Sequence, residues 1–175
     1  NLDNRFILEL STNGNKSLNH KKRALDAGIR RAQSEWLLFT DVDCRLKADW
    51  VSEIAKNFNN KNQYIIGFSE VERHENFVTI FQSIDFFMLM LAARGSANWG
   101  SPWASSGQNQ AYRKSLYHSV GGFSKISKHL QGDDSLFLQI CRNSNAAKIV
   151  FVDSFKSRIS ARQEKKVTSL FRQRL

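Results

Sequence analysis

The sequence has few cysteines, a single proline and no long hydrophobic run. Its two cysteines, Cys44 and Cys141, lie far apart, which gives neither a disulfide framework nor a zinc-binding pattern and favours a reducing compartment. One proline and nine glycines argue against a low-complexity or disordered chain. The longest apolar stretch, "FFMLMLAA" (Phe86–Ala93), is too short to span a bilayer. It is expected to belong to a core helix or to a helix lying at a membrane interface.

Acidic residues are also few: the chain has 16 Asp and Glu and 26 Lys and Arg, so its formal net charge is +10. This excess indicates an anionic partner, such as nucleic acid, a phosphorylated small molecule or an anionic membrane, or simply a basic surface. Charge alone does not choose among these. The 41% of hydrophobic residues suffices for the core of one domain over residues 1–175.

The spacing of apolar residues predicts an α/β fold with a mostly parallel sheet flanked by helices. "RFILEL" (5–10) and "WLLFT" (36–40) are predicted as strands on either side of a helix over residues 18–35, which makes a βαβ unit. A loop rich in Gly, Ser and Trp is predicted over residues 94–109. The other predicted elements are helices over about 48–58, 76–93, from about 113, over 132–143 and over 165–175, and strands over 63–69 and 148–153.

Two aspartates, Asp41 and Asp43, follow directly after the predicted strand "WLLFT". Ligands of parallel α/β sheets bind beyond the carboxyl ends of the strands. Two carboxylates in such a place repel each other unless a cation joins them. A hard divalent ion typically binds one or two carboxylates together with phosphate oxygens. The pair is therefore interpreted as a metal site that faces a diphosphate, with a capping or turn role as the alternative.

The segment "KKRALDAGIRRAQSEWLLFTDVDCRLKADW" (21–50) resembles the family 2 glycosyltransferases, which have the GT-A nucleotide-diphospho-sugar fold. Further along, "SSGQNQAYRKSLYHSVGGF" (105–123) resembles the family's G-x-N-x-A-Y/F-R-K segment, and "LQGDDSLFLQI" (130–140) resembles its acidic catalytic motif. "LFRQRL" (170–175) resembles the opening of the Q-x-x-R-W motif, whose Arg and Trp are absent. The resemblance implies an internal fragment of a longer, membrane-associated, bacterial-type enzyme that lacks the base-binding strands.

The resemblance also implies an inverting transferase that uses a UDP- or GDP-linked sugar, with an acceptor hydroxyl attacking the anomeric carbon. Asp43 is expected to ligate Mg²⁺ or Mn²⁺, and Asp41 to support the metal or the ribose. Asp134 is expected to be the general base, with Asp133 beside it. A helix N-cap is the alternative for "GDD", and the two roles are compatible. The substrate-binding residues predicted in this way are Lys21, Lys22, Asp41, Gly107, Asn109, Gln173 and Arg174.

Lys21 and Lys22 are alternatives for one role, since only one of the two is expected to face the cleft. The expected partners are a nucleotide-sugar donor and a carbohydrate or lipid-linked acceptor of the cell envelope, and no nucleic acid. The full-length protein is expected at the cytoplasmic face of the inner or plasma membrane, and the fragment is expected to be soluble. Homo-oligomers are expected to form through an open strand edge. Two other functions stay open: a metal-dependent phosphoryl transferase or nuclease, and a basic nucleic-acid-binding module.

Overall fold

The computed structural model describes residues 5–72, 77–144 and 147–161. In these residues the central sheet contains four strands. The strands lie in the order β1 (Trp36–Phe39), β5 (Gln110–Arg113), β3 (Asn62–Gly67) and β6 (Lys148–Val152). β3 pairs in parallel with β6, whereas β5 is antiparallel to both β1 and β3. Three of these four strands therefore run in one direction, in agreement with the predicted mostly parallel sheet.

A smaller sheet continues from the carboxyl ends of β1 and β3. It has the order β2 (Cys44–Arg45), β7 (Ile159–Ala161) and β4 (Ser69–Val71), with β7 antiparallel to β2 and parallel to β4. Because β2 follows β1 after a short turn, the turn that carries Asp41 and Asp43 lies where the two sheets meet.

Among the residues that the structure describes, five α-helices flank the sheets: α1 (His20–Arg31), α2 (Trp50–Ala55), α3 (Phe77–Asn98), α4 (Lys114–Ser119) and α5 (Ser135–Asn143). Side chains of neighbouring strand residues alternate between the two faces of the sheet. Tyr64, Ile66 and Tyr112 accordingly pack with α1, α4 and α5, while Ile65 and Ala111 pack with α2. The larger cluster buries three tyrosines and two phenylalanines, Tyr64, Tyr112, Tyr117, Phe123 and Phe137.

The predicted first strand, "RFILEL", is wrong. Residues 6–10 form no strand, and the side chains of Phe6, Ile7 and Leu8 are exposed. An apolar run forms a strand only when a neighbouring strand satisfies its backbone groups, and no strand of the described residues pairs with this segment. The predicted βαβ unit therefore consists only of its helix, α1, and its second strand, β1.

The strand β5 lies between the predicted loop, which ends at residue 109, and the helix predicted from about residue 113, and it was not predicted. It has four residues, of which Ala111 and Tyr112 are almost completely buried between β1 and β3. A run this short gives too little periodicity to predict, whereas its two antiparallel partners stabilise it by backbone hydrogen bonds. The helix predicted from Arg113 begins directly afterwards at Lys114.

Helix α3 packs on the protein through Met90 and Ala93 and exposes most of its other apolar side chains. Within the described parts of the chain, no helix has both the length and the apolarity that crossing a bilayer requires. The predicted helix over 165–175, with Gln173 and Arg174, lies outside the described residues. The exposed large apolar residues of α3 are Phe77, Ile80, Phe81, Ile84, Phe87, Met88, Leu89 and Leu91.

Candidate functional site

A cleft of about 760 Å³ lies beyond the carboxyl end of β1. Its walls come from the first turn of α1, from Asp41 after β1, and from the segment 129–134 that leads into α5. The parts of the chain that carried the acidic motifs therefore meet in one place. The cleft contains Lys21, Asp41, Asp133 and Asp134.

Lys21 joins two of these aspartates. Its Nζ lies 3.1 Å from Oδ1 of Asp41 and 3.2 Å from Oδ2 of Asp133, and about half of its side chain remains exposed. Burial lowers the pKa of Lys21, but the charges of Asp133 and Asp41 outweigh it and the net pKa is raised. The ammonium group is therefore charged, and the side chain that carries it is half exposed in the cleft.

Asp133 and Asp134 stand at the N-terminus of α5. Asp134 is the N-cap, and its carboxylate accepts a hydrogen bond from the backbone N–H of Ser135. Burial raises the pKa of Asp134, the bond from Ser135 partly offsets this, and the charge of Asp133 raises it again. Gly132 permits the turn into the helix, with φ of 102°. A carboxyl group that caps the helix thus also binds protons more readily than an ordinary aspartate.

The aspartate pair after β1 is divided between the cleft and the surface. Asp41 lines the cleft, whereas Asp43 is exposed on the turn and is not part of the cleft wall. In residues 5–72, 77–144 and 147–161, no three His, Cys, Asp or Glu side chains converge as a metal site made of protein alone would require. One or two carboxylates nevertheless fit an Mg²⁺ or Mn²⁺ ion whose other ligands are phosphate oxygens and water.

Lys22 does not face the cleft with Lys21. Its side chain is completely buried, and its Nζ donates hydrogen bonds to the backbone carbonyls of His129 and, at 3.2 Å, Gln131. Successive residues of a helix point about 100° apart, so the side chains of the two adjacent lysines leave α1 in different directions. Burial lowers the pKa of Lys22, against the raising effect of Asp133. The predicted phosphate contact of Lys22 is therefore not supported.

Gly107 lies against the charged groups of the cleft. A Cβ atom on this residue would come within 3.4 Å of Lys21 Nζ and 3.5 Å of Asp133 Oδ2. Its backbone N–H also hydrogen-bonds to Asp134. The absence of a side chain thus leaves room at the point where Lys21 and Asp133 meet.

The structure does not support the predicted substrate contact of Asn109. This residue is 1% exposed, and its Nδ2 donates to the carbonyls of Phe68 at 2.8 Å and Ser157 at 2.9 Å. Its Oδ1 accepts a hydrogen bond of 3.0 Å from Trp50 Nε1. Because protein groups occupy both ends of the amide, Asn109 links α2, the end of β3 and the segment before β7.

Sequence reasoning missed the loop residues His129, Leu130 and Gln131, which line the cleft directly before the acidic pair. Their residue types form no recognisable pattern. The one available signal was their position next to "GDD", since a segment that precedes a catalytic motif often shapes the same cleft.

Comparisons with known proteins identify the fold. The family model described as glycosyl transferase family 21 matches residues 5–170. The mannosyltransferase PcManGT from Pyrobaculum calidifontis, in complex with GDP-Man and Mn²⁺, is 17% identical, with a TM-score of 0.59 over 89% of this chain and 40% of its own. The glucosyl-3-phosphoglycerate synthase from Mycobacterium tuberculosis, in complex with Mn²⁺, UDP and phosphoglyceric acid, is 15% identical, with a TM-score of 0.50 over 90% of this chain and 51% of its own. No curated protein matches the chain.

These likenesses confirm the predicted GT-A nucleotide-sugar transferase fold. The family that matches is number 21, and the predicted family 2 is not confirmed. The chain spans 40% and 51% of the length of the two structures.

Proposed function

Because the chain belongs to glycosyl transferase family 21, we propose that the protein transfers a sugar from a nucleoside-diphosphate sugar to an acceptor hydroxyl. The observation that carries this proposal is the meeting of Lys21 with Asp41 and Asp133 in one open cleft. Two neighbours of the same fold contain GDP-Man or UDP, which supports a donor of the UDP- or GDP-linked class.

The donor's diphosphate is bound by Lys21 on one side. The half-exposed ammonium can exchange its contacts with Asp41 and Asp133 for phosphate oxygens, which also carry negative charge. Asp41 and Asp43 would hold Mn²⁺ or Mg²⁺, and Mn²⁺ is the ion in both neighbours. When bound, this ion supplies positive charge that stabilises the departing diphosphate.

Asp134 is the proposed general base. Its raised pKa, caused first by burial, favours accepting a proton from the acceptor hydroxyl at near-neutral pH. Asp133 lies beside Asp134 and pairs with Lys21, whose Nζ is 3.2 Å from Oδ2 of Asp133. Gly107 leaves space next to both aspartates. A hydroxyl that attacks in line, opposite the diphosphate, inverts the anomeric centre in a single displacement. Gln173 and Arg174 remain proposed substrate contacts.

A carbohydrate or lipid-linked acceptor at the cytoplasmic face of a membrane completes the proposal for the whole protein. Two features support it: the formal charge of +10, which attracts anionic lipid, and the exposed apolar side of α3. Self-association through β1, which is an edge strand of the central sheet in the described residues, is part of the same proposal.

The decisive experiment is Asp134→Asn in the intact protein, assayed with UDP- and GDP-linked sugars and Mn²⁺. We expect kcat to fall by about 10²–10⁴-fold while donor affinity stays within a few-fold, because only the proton acceptor is lost. Asp153→Asn is the matched control. It breaks ion pairs of 2.6 Å with Arg94 and 2.7 Å with Arg158, which lie outside the cleft lining.

Near-wild-type turnover of Asp134→Asn would show that this residue is not the base. The anomeric configuration of the first product, read by proton NMR before mutarotation, tests the inversion. A product with the donor's configuration contradicts a single displacement. Thermal stabilisation by oligonucleotides but not by nucleotide sugars would instead support the nuclease alternative.

A further inference from the structure

The buried lysine next to the cleft has a setting that the proposed chemistry does not explain. Lys22 is 0% exposed, although a buried ammonium group loses its hydration and is stable only when protein groups replace it. A methionine or leucine would fill the same volume without that cost. The position of the ammonium group therefore indicates what the charge is used for.

The charge of Lys22 is directed at the backbone of the loop that precedes the acidic pair. Its Nζ donates to the carbonyls of His129 and Gln131, while the side chains of these two residues are exposed. A backbone carbonyl that faces the protein interior needs a donor, and a charged donor forms the stronger bond. Lys22 thus holds the loop on both sides of Leu130.

The first turn of α1 contacts this loop at other points as well. The Asn19 side chain donates to the carbonyl of Ser127 at 3.4 Å, and Lys21 pairs with Asp133 at 3.2 Å. Contacts from one helical turn therefore follow the segment 127–133 along its length. Of these contacts, those of Lys22 are the most deeply buried and lie directly before Gly132, the hinge into the acidic pair.

We infer that Lys22 is a positioning residue: it fixes the loop 129–132 and so sets where Asp133 and Asp134 stand in the cleft. This inference rests on the proposed role of the acidic pair as the proton-accepting side of the reaction. It assigns no substrate contact to Lys22. Errors of about 1 Å in the position of a reacting group can cost ~10²-fold in rate, so a loosened loop is expected to reduce turnover.

The test is Lys22→Met in the intact protein, because methionine keeps the length of the side chain and removes its donor. We expect kcat to fall by roughly 10–100-fold. The affinity for nucleoside diphosphate with Mn²⁺, measured by calorimetry, should change by less than about threefold, since the donor side of the cleft is untouched. Amide hydrogen exchange should rise in residues 127–134 and not in β3 or β5.

The matched control is Tyr117→Phe. The Tyr117 hydroxyl donates a buried hydrogen bond of 2.9 Å to Asp26, which also lies on α1, so this variant loses a buried polar contact of the same helix. It should lose stability with unchanged kcat and unchanged exchange in 127–134. Should Lys22→Met not fold, Lys22→Gln takes its place. Its amide donor is uncharged and one bond closer to the backbone, so the loop is held less firmly and the same changes in kcat and hydrogen exchange are expected, at smaller size.

Unchanged kcat in a folded Lys22 variant overturns the inference, and so does a loss of nucleotide affinity as large as the loss of kcat. If Asp134→Asn lowers kcat and Lys22→Met leaves it unchanged, the positioning role fails and the proposed function stands. If both variants keep full turnover, the role of the acidic pair fails. Unchanged hydrogen exchange of residues 127–134 in Lys22→Met would by itself reject the structural link between Lys22 and the loop.

Discussion

Two polar clusters lie at the same edge of the central sheet and differ in almost every other respect. The cleft cluster consists of Lys21, Asp41, Asp133 and Asp134, and the Asn109 junction consists of Asn109 with the groups of Trp50, Phe68 and Ser157 that it bonds. Because β5 is antiparallel, the residue before it lies beside the carboxyl ends of β1 and β3. Position at this edge therefore does not distinguish the clusters.

Exposure and pairing do distinguish them. In the Asn109 junction the amide is 1% exposed and bonds to protein at both ends. In the cleft cluster the side chain of Lys21 is 48% exposed and that of Asp41 is 32% exposed, so both can exchange their partners for a ligand. Polar groups that the protein has already satisfied stabilise the fold, and polar groups that water still reaches can bind substrate.

Asn109→Ala gives the largest expected change in stability. The substitution leaves the indole N–H of Trp50 and the carbonyl of Ser157 without their side-chain partner in a buried environment. The carbonyl of Phe68 loses its bond from Asn109 and keeps a longer one, of 3.4 Å, from the backbone N–H of Ile159. We expect a loss of about 3 kcal/mol in the free energy of unfolding, measured with urea. Donor affinity of the folded fraction should stay unchanged. Lost donor affinity at full stability would contradict the assignment and place Asn109 with the cleft cluster.

Gly67→Ala tests how closely the junction is packed. A Cβ atom on Gly67 would stand 2.3 Å from both Cγ and Oδ1 of Asn109, which forces the amide away from its partners. We expect a loss of about 2 kcal/mol in unfolding free energy. In an Asn109→Ala background the added methyl group meets empty space, so most of this loss should disappear. Additive losses in the double variant would show that the two residues act independently.

The contrast between the clusters also explains how far the sequence predicts this site. Asp41 and "GDD" could be located because each depends on local order alone, a turn after a strand and the start of a helix. Asn109 lies within a motif of the same kind, but which way its amide points depends on Trp50 and Ser157, which are distant in the sequence. Helical spacing predicts that only one of the two adjacent lysines faces the cleft. Which one does so depends on how α1 packs on the protein, and in the structure it is Lys21.

The prediction of strands is limited in the same way by contacts between residues that are distant in the sequence. The segment 5–10 has the composition of a strand and forms none, whereas β5 has only four residues and lies at the centre of the sheet. Strand formation depends on partners that are remote in sequence, and composition reports only whether a segment would suit such a partner. Helices α1 and α5, whose hydrogen bonds are local, were predicted to within a few residues.

Lys21→Met should have the smallest effect on stability and reverses the pattern of Asn109→Ala. Lys21 is half exposed, so water screens its pair with Asp41 fully and its pair with the more buried Asp133 from one side, and the loss in unfolding free energy should be about 1 kcal/mol. Donor affinity should fall about tenfold, because a charged hydrogen bond to the diphosphate is lost. Lys56→Met, which removes an exposed pair with Glu53 on α2, is the control and should leave affinity unchanged. Equal donor affinity in the two variants would mean that exposure of a charged pair does not identify the binding site.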